Sequence, residues 1–533
     1  MRVTIRTAAF CLLVLGLSTT PALATETWIK AESPHFIVYT DASEADARDD
    51  LRKLEAFETM TEQLYSGIGD SELPDYHKTT LHFLKNLSDF LVIRPMLFNG
   101  FQPVIRCPDF EQQLYSVASG AAPDKLEDYT RFDLAWMFYA RAGLQNIKYF
   151  SKPLPTWVDS GLANYFMTVN IQTDRIIVGQ PFPEILRDEE GHKLALAQLM
   201  PFEDIVAGPL VASHKLIRHF DANAYRFQTW LMVSYFMSDP ERKARFVKYL
   251  EAVTDGADPL TAFATETGMQ PGDFNAIFTQ YMTAGSPELS YARKAAAEPV
   301  ITITPVVETA QDLPLVASAI RSCPNDVDGK VLLHTARQIA GRYPSDPLAQ
   351  MTLAAAAVQF GDLKGEAADT ALPILDARLK ADPNDVEARQ LMGRLYLYLA
   401  RRGAPEQSSA NFARARTELG KAYQLDPTSA PTLYDYVLAH KNLPDFPDEN
   451  TQGAMALAQS YSRNAYGWLQ AEIDVRTEDY ERALIFFGGD CHMCGHRYRE
   501  AYLAIHDALA AKKPKADILA LFAAYDAAEA KDR

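Results

Sequence analysis

Cysteine and histidine crowd together once in this chain, in Cys491-His-Met-Cys494-Gly-His496. A C-x-x-C pair can cycle between dithiol and disulfide, hold a metal or attach heme, and each use makes its own demand on the neighbours. Heme attachment wants His directly after the second Cys, and Gly495 stands there. Thioredoxin-type exchange needs a βαβ setting, whereas the flanking sequence reads as helical. Cys491, His492, Cys494 and His496 offer four Zn-type donors, but ligands this close together strain a tetrahedron, and no partner knuckle follows. A local disulfide pinning a loop is what these residues favour, with redox or metal handling as the alternatives. His214 and His219 are five apart, out of step with the i, i+4 spacing that puts two ligands on one helix face.

The second chemistry-bearing region combines Arg131 to Arg141 with Leu154-Pro-Thr-Trp-Val-Asp-Ser-Gly-Leu-Ala-Asn-Tyr-Phe166. Trp157, Gly161 and Tyr165 recur every fourth residue, flanked by Leu162 and Phe166, which predicts a helix with one apolar face and a glycine where a second helix can come close. Phe132, Leu134, Trp136, Phe138 and Tyr139 make the preceding segment almost wholly apolar.

This pair of segments resembles the core of the gluzincin metallopeptidases, specifically the bacterial peptidase-MA-like proteins. There an H-E-Y-x-H helix is followed by P-x-W-x-x-E-G-L-A-E-Y-F. In such a peptidase two His at i and i+4 hold Zn, the Glu between them is the general base, and a Glu before Gly-Leu-Ala is the third ligand. Laid on this chain without a gap, the first motif falls on Asp133, Leu134, Ala135, Trp136 and Met137, the third-ligand position on Ser160 and the second acidic position on Asn164. One carboxylate, one hydroxyl and a thioether do not make a catalytic Zn site, which takes three N, O or S ligands and an open position. Between Asp124 and Gly191 there is no histidine. The packing residues match and the chemical ones do not, so the resemblance implies the fold without the reaction, and no cofactor or metal is expected.

The chain around these segments has 533 residues, enough for several domains with sizeable cores. Arg2 and Arg6, the apolar run Ala8 to Leu17 and Ala22-Leu23-Ala24 read as a secretory signal peptide over residues 1–24, and the run is too short for a permanent membrane anchor. An exported, periplasmic location is the expectation. Without Arg2 and Arg6 the mature chain carries 50 basic against 69 acidic side chains, a formal charge of −19. That acidity argues against nucleic acid or an anionic membrane surface as partner. Four cysteines remain, and in an oxidising compartment an even number implies disulfides: Cys491 with Cys494, and Cys107 with Cys323.

In chain order, His35 to Tyr39 reads as a strand, which the peptidase-like proteins also place near their start, and His35 reads as a structural strand-end residue. Ser43 with Asp46 suggests a helix N-cap ahead of Leu51, Leu54, Phe57, Met60 and Leu64. Strands are predicted at Thr79 to Leu84, at Val104-Ile105 and at Asp174 to Gly179. Aromatic-rich helices follow over Tyr225 to Met237 and from Arg242 to Glu251, with a break at Asp239-Pro240. The resemblance continues through Tyr225 to Phe236, so it covers about residues 28 to 285.

Beyond a linker at 286–314 the composition turns to Ala, Leu, Arg and Asp with helical periodicity. Ala388, Met392, Gly393 and Tyr396, then Ala415, Leu419, Ala422 and Pro427, fit the small and large positions of a tetratricopeptide repeat, and Ala349, Leu353, Ala354 and Ala357 fit its first helix. Arg378 stands where such a unit wants Ala. The expected architecture is therefore an α+β gluzincin-like domain over 25–285 followed by an all-α repeat superhelix over 315–533. The expected function is non-catalytic: an exported pseudo-peptidase that binds proteins or peptides through the array. The alternatives are a metal-dependent hydrolase with a site rearranged around Asp133, Asp159 and histidines brought from elsewhere in the fold, and a redox or metal-handling protein acting through Cys491 and Cys494.

Overall fold

The computed structural model describes residues 28–65, 78–85, 104–107, 109–117, 154–172, 174–179, 199–207, 222–284, 289–292, 297–306, 313–362, 365–461, 463–487 and 496–532, with short pieces at 89–90, 93, 186–187 and 194–196. The leader segment, the Arg131 to Arg141 segment, His214, His219 and the Cys491–Cys494 motif lie outside the described residues. The chain is mostly helical, with a small N-terminal sheet and a helical-repeat region.

Alternating apolar residues form β1 (Ile29–Glu32) and β2 (Phe36–Thr40), and α1 (Glu44–Tyr65) follows from the Ser43 cap, whose Oγ accepts from the Asp46 amide at 3.2 Å. β3 (Thr79–Leu84), β4 (Val104–Cys107) and β5 (Phe110–Val117) complete the N-terminal strands. The six-stranded sheet runs β4-β5-β3-β2-β1 and is closed by β9 (Thr302–Pro305), antiparallel to β1. One face packs Phe36, Val38, Leu81, Phe83 and Leu114 against Leu51 and Leu54 of α1. Just before β2, His35 Nδ1 meets Glu55 Oε2 at 2.6 Å while Ser33 donates to Oε1, so His35 ties strand to helix.

The middle of the chain is a helical core. α2 (Thr156–Phe166), α3 (Phe202–Ala207), α4 (Ala222–Met237), α5 (Pro240–Thr254), α6 (Pro259–Thr267) and α7 (Phe274–Ala284) bury Trp157, Trp230, Phe236, Phe246, Tyr249 and Phe263 together. The Asp239-Pro240 break is a helix start: Asp239 accepts from the Glu241 and Arg242 amides, and Pro240 occupies the first turn, where its missing N–H costs nothing. Asp258-Pro259 repeats the device. A small sheet of β6 (Asn170–Ile171), β7 (Arg175–Val178) and β8 (Leu289–Ala292) borders this core.

The segment expected as a linker, 286–314, contributes β8 and β9, one strand to each sheet. Its Ile301-Thr-Ile-Thr304 alternation, closed by Pro305, is that of an edge strand. The array begins at α8 (Leu313–Ile320) and continues with α9 (Asp326–Arg342), α10 (Pro347–Phe360), α11 (Glu366–Ala381), α12 (Val386–Arg402), α13 (Ser408–Leu425), α14 (Ala430–His440), α15 (Glu449–Tyr461), α16 (Arg463–Arg476), α17 (Tyr480–Phe487), α18 (His496–Ala510) and α19 (Lys515–Asp532). Successive helices pack on one another, and α8, α10, α12 and α14 also touch in sequence, forming an inner layer. Small residues permit the approach: a Cβ on Gly393 would lie 2.5 Å from Leu419 Cγ, and Ala354, Ala357, Ala388, Ala415 and Ala422 are fully buried. Arg378 resolves its misfit by turning out to Asp385, Nε to Oδ2 2.5 Å, fixing the residue that caps α12.

The second face of the six-stranded sheet packs on that inner layer. Trp28, Phe110, Tyr115 and Val117 share one core with Leu315, Val316, Ala354, Val358, Leu391 and Leu395. Sheet and first repeats thus form a continuous hydrophobic body, and Cys107 and Cys323 are joined by a disulfide with Cα atoms 5.6 Å apart.

Candidate binding cleft

Between the sheet and the inner helices lies a cleft of about 480 Å³. Strand alternation sets its floor, because residues two apart share a face. Tyr39 and His82 line it from β2 and β3, with the buried Tyr115 opposite His82 on β5, and Ile37, Thr80 and Gln113 form the neighbouring row. The three rings stack across the strands, with centroids 5.4 Å apart for Tyr39 and His82 and 5.1 Å for His82 and Tyr115.

The roof is made of helix ends: Ser318 from α8 and Arg321 just past it, Pro347 and Met351 from α10, Val386 and Gln390 from α12, Thr432 from α14. Asp346 and Asp385 also border it, each accepting a first-turn amide of its helix. Charges of both signs face the space, and much of it is neutralised locally. Arg321 donates to Glu387 at 2.5 Å, and Lys30 and Lys78 both reach Glu32.

Floor and roof are joined by directional polar bonds. Tyr115 Oη and Ser318 Oγ are 2.5 Å apart, Ser318 Oγ donates to Gln113 Oε1 at 3.1 Å, and His82 Nε2 lies 2.9 Å from the same oxygen. An amide oxygen only accepts, so Nε2 carries the hydrogen and Nδ1 presents a lone pair. That Nδ1 is buried with no hydrogen-bond partner among the described residues. Burial pushes the imidazole down to about 4, with Gln113 pulling the other way, so His82 is neutral at physiological pH.

At the cleft's end the β4–β5 hairpin tip enters the inner layer. Arg394, fully buried, donates through Nη1 to the backbone oxygen of Asp109. Its Nε and Nη2 lie 2.9 and 2.8 Å from Asp435 Oδ2, to which Gln390 Nε2 also donates at 2.7 Å. Gln359 Nε2 donates to the Asp109 carboxylate at 2.6 Å, and the guanidinium carbons of Arg394 and Arg321 stand 5.6 and 5.8 Å from the centre of the Phe110 ring. Burial pushes Asp435 up to about 6 against the pull of Arg394, and Asp109 adds to the rise. Arg394 is held charged well above the ordinary range: burial opposes the charge, and Asp435 and Asp109 outweigh it.

The sequence-derived site lies elsewhere. Ser160 and Asn164 sit one turn apart on α2, against α4. Asn164 Nδ2 reaches Ser160 Oγ and Thr229 Oγ1, both at 3.4 Å, and Oδ1 accepts from Arg226 Nε at 3.5 Å. The amide's donor and acceptor are both spent on packing bonds, and neither Ser160 nor Asn164 is an anionic ligand, so these two positions do not supply the donors that the peptidase family's Zn would need. Asp159 is exposed in the first turn of α2. Asp133, Leu134 and Met137 lie outside the described residues. Gly161 lets α2 and α4 touch: a Cβ there would fall 2.5 Å from the Thr229 carbonyl oxygen.

One group of metal-type side chains comes together among the described residues, Cys107, Asp109 and Cys323. Its two sulfurs are bonded to each other, and a disulfide offers no thiolate to an ion. Sequence reasoning missed the aromatic row and the Arg394 cluster. Tyr39, His82 and Tyr115 each occupy an alternating strand position, a visible signal, but only the strand order brings them together.

No family model matches the chain, and no curated protein matches it. Among solved structures, a thermophilic TPR protein from Thermus thermophilus is similar at 16% identity, over 36% of this chain and 90% of that one, with a TM-score of 0.26. No helix among the described residues is long and apolar enough to cross a membrane.

Proposed function

We propose that this chain is an exported, non-catalytic binding protein whose helical array, roofed onto an α+β domain of gluzincin type, holds an extended protein segment in the cleft over Tyr39 and His82. The observation that carries this reading is the treatment of the hairpin tip. Inner-layer side chains grip the backbone oxygen, carboxylate and ring of Asp109-Phe110 as they would grip a peptide, with Arg394 and Gln359 supplying donors and Gln390 holding Asp435, the partner of Arg394. Support for the pseudo-peptidase half comes from Trp157, Gly161 and Tyr165, which pack, and from Ser160 and Asn164, which offer no anionic ligand. The Cys107–Cys323 disulfide suits an oxidising compartment.

The test uses the mature full-length chain with a photo-crosslinking residue at Met351 in the cleft, and a control at the exposed Val331. A discrete adduct from Met351 alone, mapped to a single segment of one protein, supports the reading. Stoichiometric Zn together with peptide hydrolysis that Asp133→Ala abolishes would replace it with the hydrolase alternative, and loss of function in Cys491→Ser alone would favour the redox one.

A further inference from the structure

The inner layer of a repeat array is its recognition surface, and here part of it is already occupied. The occupant is two residues of the same chain, Asp109 and Phe110, and the fit is specific. Arg394 binds a main-chain oxygen, so an extended backbone is read; Gln359 donates to the carboxylate; two guanidinium groups border the ring. Phe110 is 5% exposed. Gln390 and Asp435 complete the seat by fixing Arg394.

A covalent tether holds the occupant there. Cys107, which pairs with Phe110 across the hairpin, is bonded to Cys323, just past the end of α8. The bond therefore fastens the hairpin to the array within a few residues of the seat. A tether this short gives the tip a high effective concentration against any free competitor.

Resting on the scaffold reading above, we infer that the Asp109-Phe110 seat on α10, α12 and α14 is the array's specificity pocket for an acidic residue followed by an aromatic one, and that the Cys107–Cys323 bond keeps it closed by holding the chain's own copy in place. Opening takes a dithiol reductant. Its two S–H groups give up two electrons and two protons and become a disulfide, while Cys107 and Cys323 become thiols. The hairpin tip, then held only by its strand pairing and its seat contacts, becomes displaceable by an incoming segment that places carboxylate, backbone oxygen and ring in the same positions.

The probe is a fluorescent peptide of residues 104–117 carrying Cys107→Ser, titrated by anisotropy against the mature protein. Binding at least tenfold tighter to the dithiothreitol-reduced protein than to the oxidised one is expected. The peptide carrying Asp109→Asn and Phe110→Ala loses that binding, and Gln359→Ala in the protein weakens it. Hydrogen exchange on the same samples should rise at 104–117 on reduction while α10, α12 and α14 stay protected, so a collapsed array cannot pass for an opened seat. Equal affinity in both redox states, no difference between the two peptides, or unchanged exchange at the hairpin overturns the inference. A Met351 adduct that persists alongside such a result would leave the scaffold reading standing and remove only this seat.

Discussion

Arg394 Nη2 lies 2.8 Å from Asp435 Oδ2, with both side chains almost wholly out of solvent, and this pair links the third and fourth inner helices beneath the hairpin tip. A buried pair contributes little net stability as a pair, but breaking it strands a charge. Arg394→Met therefore leaves Asp435 buried beside Asp109 and lowers stability by about 3–5 kcal/mol in chemical denaturation. The double variant Arg394→Met with Asp435→Leu recovers most of that loss, since neither charge then remains to be desolvated. A double variant no better than the single would show that the bonds to Asp109 and Gln390, not the stranded charge, set the cost.

His82 makes the cleft floor acid-sensitive. Its folded value of about 4 lies below the ordinary 6.5, so the unfolded chain takes up the proton first as pH falls. The stability that neutral His82 contributes is intact above pH 6.5 and is lost progressively down to pH 4, amounting to about 3 kcal/mol. Asp435, raised to about 6, works with the opposite sign: what it contributes is present below 3.8 and is lost as pH rises through 6. The total profile is flattened where the two overlap, so the informative quantity is the difference between wild type and His82→Phe. That difference should narrow steadily between pH 6.5 and 4 in thermal melts. A constant offset across the range would mean that His82 does not titrate with folding.

Gly161 sets the distance between α2 and α4. A methyl group there meets backbone, Thr229 O at 2.5 Å, together with Val233 Cγ2 at 2.6 Å, and backbone cannot rotate away. Gly161→Ala should cost about 1–3 kcal/mol by overpacking, whereas Gly341→Ala, where no described residue lies within 4 Å, should gain up to about 1 kcal/mol from helix propensity. Similar melting temperatures for the two variants would remove the close helix approach from the account.

What the sequence disclosed and what it hid divide along physical lines. Local signals were legible: the Ser43 cap, the strand at Thr79–Leu84, the proline at 240 and the small residues of Ala388 to Ala422 depend on neighbours within a few positions. Trp157, Gly161 and Tyr165 announced a packed helix for the same reason. The cleft was illegible because its parts are far apart along the chain: Tyr115 meets Ser318, and Asp109 meets Arg394, only once the sheet lies on the array. A threonine- and isoleucine-rich stretch between two compositions looks like a linker until β1 offers it an edge. The Asp133 and Cys491 motifs fall outside the described residues, so the fold neither adds to nor subtracts from their reading.

Cys107 and Cys323 close a loop of 216 residues that contains the helical core but leaves nearly all of the array outside. In the chain-entropy account, cross-linking a loop this long restricts the unfolded state by about 5 kcal/mol, with measured effects usually nearer 2–4 kcal/mol. The gain belongs only to unfolding events that open the loop. Cys107→Ser with Cys323→Ser should therefore speed hydrogen exchange and proteolysis within residues 107–323 while leaving α15, α16 and α19, which pack among themselves through Trp468 and Phe522, at wild-type protection. If protection fell equally in those helices, sheet and array would unfold as one cooperative unit, and the shared core of Tyr115, Leu315 and Leu395 would be the stronger coupling.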